Sequence, residues 1–242
     1  MSQPELLIIA DDLTGALDAA VPFCSANNKV VVAVSLAALP AALQSGAAVV
    51  AVSTQSRETD PATAFARVRS AVERANHIPI FKKIDSRLKG NLVSELNALP
   101  DAPLLVAPAL PSMHRMVRNA QVCGFGIDEP IDIVKALGEH ARRSLIPDTV
   151  TEHDMDKVIA EGSRRIWVGA RGLSAALARS MGIDANKPAP LSGRTAMAIG
   201  SVDPITVAQV KGWILNRLSG CLRLQVVIRA STRVISILSC RW

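Results

Sequence analysis

At 242 residues, 49% hydrophobic and 3% aromatic with no Tyr, the chain can bury a sizeable core but lacks the rings for a base-stacking platform. The net charge of +6 does not describe a binding face, because all the acidic residues lie at or before Asp203 while Lys211, Arg217, Arg223, Arg229, Arg233 and Arg241 follow it and supply the whole excess. No nucleic-acid partner is expected. Cys24, Cys123, Cys221 and Cys240 are widely spaced, without a CxxC pair or His at metal-ligand spacing, so neither zinc nor a disulfide scaffold is suggested. The opening MSQPELLIIADD has no basic segment leading into an apolar stretch of signal length, and no apolar run reaches the roughly 18 residues of a membrane span. A cytoplasmic setting without a membrane partner is expected.

Short apolar runs alternate with longer amphipathic stretches, and 6–10, 30–34, 48–52, 78–84, 104–107, 166–169 and 196–199 read as strands. This βαβ rhythm predicts an α/β fold, a doubly wound and mostly parallel sheet with helices on both faces, plus a fragment of a second α/β domain. The first strand runs into Asp11-Asp12-Leu13-Thr14-Gly15, where open α/β sheets gather ligands. One Asp there would merely cap the next helix. A second adjacent Asp exceeds what capping requires, and suits hydroxyl recognition, metal binding or general base work.

After the third strand, Ser56-Arg57 supplies a guanidinium able to grip a carboxylate with two parallel hydrogen bonds. Pro61 then starts a helix whose apolar face is read as Phe65, Val68, Val72 and Ala75. The fourth strand ends in KKIDSRLKGN, residues 82–91, with Lys83 and Asp85 on one face and Lys82 on the other. A solvated charge cluster is the plainer alternative. Residues 107–130, dense in Pro and Gly, read as a long irregular loop. The Pro/Gly-punctuated run at 186–194 marks a boundary, giving 1–195 as substrate-binding domain and 196–242 as the start of a second domain with an aberrant basic tail. Carboxylates and cations thus converge on one sheet edge, the profile of a site for a small polyhydroxylated acid.

ADDLTGALDAA followed by KKIDSRLKGN resembles the paired signatures of the four-carbon acid sugar kinase family, and VSTQSR, APALPSMHR, IPDTVTEHDMDKVIA, WVGARGLSAALA and AIGSVDPITVAQ continue the resemblance in order over most of residues 5–210. The resemblance implies ATP-dependent phosphorylation, with Mg²⁺, of a hydroxyl on an acid such as threonate or erythronate. It makes Asp11, Arg57, Lys83, Ser86 and Arg115 substrate contacts, Asp12 or Asp85 the base, and Gly200 and Ser201 part of the nucleotide site. Arg87 and Lys89 replace the Thr and Arg of the family's D-S-T-x-R-G-N run, which keeps one charge but loses the fork. The family continues into a large nucleotide-binding domain, whereas the resemblance fades after Val210. The tail reads as translation in a shifted frame or as a basic strand-forming segment prone to self-association. A non-catalytic acid-sugar-binding domain is the alternative, and an Asp-nucleophile phosphatase a weaker one, since its aspartates would have a residue between them.

Overall fold

The computed structural model describes residues 3–25, 27–161, 165–183 and 208, with the backbone of 197–199, 226–230 and 233–236. The chain divides into two units, Met1–Asn186 and Lys187–Trp242. The first runs β1 (Leu6–Ala10), α1 (Leu13–Ala20), β2 (Val30–Ala33), α2 (Leu39–Leu43), β3 (Val49–Ser53), α3 (Pro61–Ala75), β4 (Ile80–Lys83), α4 (Leu92–Asn97), β5 (Leu104–Ala107), β6 (Arg115–Arg118), β7 (Gln121–Gly124), β8 (Ile131–Asp132), α5 (Ile133–Leu137), β9 (Ser144–Leu145), α6 (Glu152–Glu161), β10 (Ile166–Gly169) and α7 (Arg171–Ser180).

Seven strands form one sheet in the order β2-β3-β1-β4-β10-β5-β9, and every pairing is parallel. Residues of β1, β3, β4 and β5 are buried throughout, which explains the apolar runs of β1, β3 and β5: a parallel strand covered on both faces has no solvent side to mark with polar residues. Helices α1, α6 and α7 pack side by side in one layer, and α3, α4 and α5 in another. On α3 the buried stripe is Ala64, Val68, Ala71 and Ala75, while Phe65 is 40% exposed. The face read from the sequence was therefore rotated toward the larger side chain; the alanines allow the helix to sit close.

The topology sets the site. Ala10 pairs with Ser53 on one side and Lys83 on the other, so the residues leaving β1, β3 and β4 emerge together. The next strands after β1 lie on one side of it and the strands after β4 on the other, which opens a crevice at the carboxyl ends of this central pair.

Residues 107–130 are not the irregular loop expected from their composition. They include an antiparallel ribbon in the order β6-β7-β8. Its first turn places Asn119 and Ala120 at φ 50° and 56°, the left-handed pair of a type I′ hairpin, and no glycine at either position flags it. Val117 and Val122 anchor the ribbon in the core. Gly124 sits at φ +101°, and a Cβ there would lie 2.0 Å from the His114 carbonyl oxygen.

Lys82, fully buried, is the other departure from an edge of solvated charges. Its Nζ lies 2.8 Å from Oε2 of Glu95 on α4, itself buried. In the second unit, β11 (Met197–Ile199) pairs parallel with β12 (Val226–Ala230), which pairs antiparallel with β13 (Arg233–Ser236); the rest of the tail and the 186–194 stretch lie outside the described residues. No helix among the described residues is long and apolar enough to cross a membrane.

Removing one partner of a buried ion pair leaves the other charge uncompensated, so Glu95→Ala is expected to lose about 3–5 kcal/mol in urea unfolding. Arg69→Ala, which breaks a pair on the exposed face of α3, should cost only about 0.3–0.5 kcal/mol. Equal losses would refute the assignment. Gly124→Ala should unravel the ribbon while leaving the sheet folded, detectable as faster amide exchange confined to residues 115–132.

Candidate functional site

The site is assembled from three loops that follow β1, β3 and β4, and from the ribbon. Asp12 is the N-cap of α1, its Oδ1 accepting the Gly15 amide at 2.6 Å. The capping alternative therefore holds for Asp12, but it does not exhaust the residue, because Oδ2 lies 2.7 Å from Arg57 Nη1. Asp11 is buried and accepts Arg57 Nε at 2.7 Å and Nη2 at 3.0 Å. The two-pronged grip expected of Arg57 is present, and its partner is the protein's own carboxylate. Burial weighs against the charged guanidinium, but the hydrogen bond to Asp11 and the charges of Asp11, Asp12 and Asp85 prevail and push its pKa up.

Backbone bonds hold these loops together: the Asp11 carbonyl accepts the amides of Ser56 at 2.8 Å and Arg57 at 3.3 Å. Two glycines make the space. A Cβ on Gly15 would lie 2.5 Å from Asp12 Oδ1 and 3.4 Å from Lys83 Nζ, and one on Gly90, at φ +93°, 3.2 Å from Asp11 Oδ2.

Lys83 is 6% exposed, donates to the Ile84 carbonyl at 3.1 Å and forms no ion pair among the described residues. Burial draws its pKa below the ordinary lysine value, partly opposed by the charges of Asp18, Asp11, Asp12 and Asp85. Asp85 is half-buried; Oδ1 accepts the Arg87 amide at 2.8 Å, and Oδ2 has no hydrogen bond among the described residues. Arg115, 9% exposed, reaches from the ribbon to Ser86 Oγ at 2.5 Å and clasps the Phe125 carbonyl with Nε at 3.1 Å and Nη2 at 2.9 Å. It too has no carboxylate partner among the described residues.

Asp11, Asp12 and Arg57 thus form one cluster with Lys83 beside it, and Ser86 with Arg115 a second contact on the loop after β4. Gly200 and Ser201 lie outside the described residues, as does Asp203. Arg87 and Lys89, the departures from the family run, are exposed. Among the described residues no group of three or more His, Cys, Asp or Glu could hold a metal, and Asp11 and Asp12 are both committed to Arg57, so this donor set does not fit Mg²⁺.

Sequence reasoning missed the groups beneath the cluster. Asn91 donates to the carbonyls of Ser56 at 2.9 Å and Thr59 at 2.8 Å, and Glu95 accepts Ser56 Oγ. What the arrangement offers chemically, among the described residues, is two buried cations without an acid partner and a carboxylate with one oxygen unengaged, at the mouth of a crevice.

Residues 6–124 match the model of a sugar-binding N-terminal domain. The chain is 30% identical to a D-threonate kinase of Cupriavidus necator over 90% of its own length and 63% of the relative's, and 30% identical to a D-threonate kinase of Bordetella bronchiseptica over 74% and 56%. A D-erythronate kinase of Heliobacterium modesticaldum is 29% identical over 63% of this chain and 37% of the relative. The chain spans less than two thirds of the length of these curated relatives. A solved Bordetella bronchiseptica structure, a domain-swapped dimer with bound citrate, superimposes with a TM-score of 0.64 at 27% identity, covering 90% of this chain and 66% of that one. A Haemophilus influenzae structure shares the fold at 20% identity, with a TM-score of 0.59 over 86% and 65%. With its parallel sheet, its paired signatures at one sheet edge and these relatives, the chain is similar to the four-carbon acid sugar kinase family through a sugar-binding N-terminal domain.

Proposed function

We propose that the first unit holds a four-carbon sugar acid such as threonate or erythronate, as the acceptor side of an ATP-dependent sugar-acid kinase. The observation that carries this reading is the pair of buried cations, Lys83 and Arg115, left without carboxylate partners among the described residues. An anion is the group that answers them, since a buried charge is costly unless both paired and hydrogen-bonded, and these two have hydrogen bonds but no counter-charge among the described residues. Arg57, already bound to Asp11 and Asp12, is assigned to holding those acids in place rather than to the substrate carboxylate.

Ser86 and the carboxylates then face the hydroxyls. Asp85 is the better general base, because Oδ2 is unengaged while both oxygens of Asp12 are occupied. In this role Asp85 takes the proton of the attacking hydroxyl at Oδ2, and Lys83 offsets the negative charge that develops on the hydroxyl oxygen. ATP would supply the transferred phosphoryl group; its contacts and those of Mg²⁺ are assigned outside the described residues. The citrate of the Bordetella relative, itself a hydroxy acid, agrees with an anionic ligand. An aspartyl-nucleophile reading is disfavoured, because that chemistry needs a carboxylate oxygen free to attack and Asp11 and Asp12 are bridged by Arg57.

Calorimetry with threonate and erythronate tests the seat. Lys83→Met and Arg115→Met should each weaken binding by about 30-fold or more, the consequence of leaving a charge unpaired. Asp85→Asn, which disturbs a hydroxyl contact, should cost about fivefold. Unchanged affinity in both cation variants would overturn the site. A coupled ADP assay separates the enzymatic reading from a non-catalytic binding domain. Threonate-dependent ADP release would support the kinase reading, and binding without ADP release the non-catalytic one.

The depressed lysine gives a second test. The anion binds the ammonium form of Lys83, so affinity is full below its folded pKa and falls as pH rises through it. The fall should come below the ordinary lysine value of about 10.4. Lys83→Met should flatten this limb; an identical limb in the variant would assign it to another group.

A further inference from the structure

We propose that Glu95, which touches none of the candidate ligand groups, is the positioning residue of this site: held by Lys82, it fixes Ser56 and thereby sets Arg57 against Asp11 and Asp12. The consequence for binding rests on the acid-sugar reading above; the positioning itself does not.

The chain of contacts is continuous and buried. Lys82 Nζ lies 2.8 Å from Glu95 Oε2 and also donates to the Lys83 carbonyl at 2.9 Å and the Ile9 carbonyl at 3.4 Å, which ties the ammonium to the carboxyl ends of β4 and β1. The other carboxylate oxygen accepts the Ser56 hydroxyl. A carboxylate only accepts, so the Ser56 proton is committed to Glu95, and Thr54 Oγ1 lies 2.7 Å from the Ser56 oxygen. Thr54 Oγ1 also lies 2.9 Å from the Ala10 carbonyl, one residue before the acid pair.

Ser56 is therefore held by every polar group it has. Its side chain goes to Glu95, its amide to the Asp11 carbonyl at 2.8 Å, and its carbonyl to Asn91 at 2.9 Å. Arg57 is the next residue, and its long side chain gives up much rotamer freedom to meet two carboxylates at once. A backbone fixed at Ser56 leaves fewer degrees of freedom to be restrained by the ion pairs themselves. A buried Lys–Glu pair is a poor device for stability alone, since well-packed apolar residues of the same volume serve as well or better. Its two acceptor oxygens, one for Lys82 and one for Ser56, give it a directional function that packing lacks.

The test uses Ser56→Ala, which removes the link without stranding a buried charge, beside Glu95→Gln. The ligand-independent readout is hydrogen exchange of the Arg57 Nε–H, followed by ¹⁵N NMR. Ser56→Ala should speed that exchange about tenfold while the sheet amides keep their protection. It should also raise the Kd for threonate about fivefold. In an Arg57→Ala background the same change should alter Kd by less than about twofold, because the effect passes through Arg57. Ser56→Thr, which keeps the hydroxyl, should restore both values, and Glu95→Gln, wherever it folds, should speed exchange as Ser56→Ala does. Unchanged Arg57 exchange in Ser56→Ala, or a loss of affinity that persists in full without Arg57, would overturn the proposal. If the parent protein binds no sugar acid, the acid-sugar reading fails, while faster Arg57 exchange in Ser56→Ala would still support the positioning role.

Discussion

Adjacent carboxylates at the end of one strand repel each other, and the geometry of this sheet edge depends on a single guanidinium that binds both. Arg57 meets Asp11 through two hydrogen bonds and Asp12 through a third contact. The loops after β1 and β3 are consequently one unit, further joined by the bonds from the Ser56 and Arg57 amides to the Asp11 carbonyl. Gly15 and Gly90 are small because the acids they border have no room to yield. With Arg57 so engaged, the buried positive charge still unanswered among the described residues near this edge belongs to Lys83 and Arg115.

Two consecutive lysines on β4 divide the work of the strand. Lys82 turns into the core and meets an acid; Lys83, one residue on, faces the edge, donates to a carbonyl and forms no ion pair among the described residues. Strand alternation makes this split unavoidable. It places a structural cation and a ligand-facing cation on the same few ångströms of backbone, so whatever anchors the first also limits the wandering of the second. The Lys83 carbonyl is itself one of the acceptors of the Lys82 ammonium.

Much of the fold was legible because a parallel sheet leaves a coarse imprint: apolar runs at βαβ spacing, those of β1, β3 and β4 leading into polar residues. The candidate residues were legible for the same reason, since a parallel sheet sends every strand's carboxyl end to one edge. What escaped were features set by partners distant in the chain. The alternation of β4 told which face Lys82 takes but not that Glu95 waits there, because α4 has six residues and too little period to reveal its inner side. The hairpin at Asn119-Ala120 escaped because its left-handed turn carries no glycine. Phe65 misdirected the reading of α3, where small residues rather than large ones seek the sheet. The double hydrogen bond of Arg57 was visible in its chemistry, but chemistry alone did not say that its carboxylate would come from Asp11.

The ribbon divides the two unanswered cations between parts of the chain that differ in how they are held. Lys83 belongs to a central strand, whereas Arg115 opens a short hairpin that buries Val117 and Val122 and grips its own Phe125 carbonyl. Opening of that hairpin would withdraw Arg115 without disturbing the sheet, a fluctuation smaller than global unfolding. Local melting and occupancy are then thermodynamically linked: any anion that engages Arg115 biases the hairpin toward closure, and any change that loosens the hairpin taxes affinity by the same free energy.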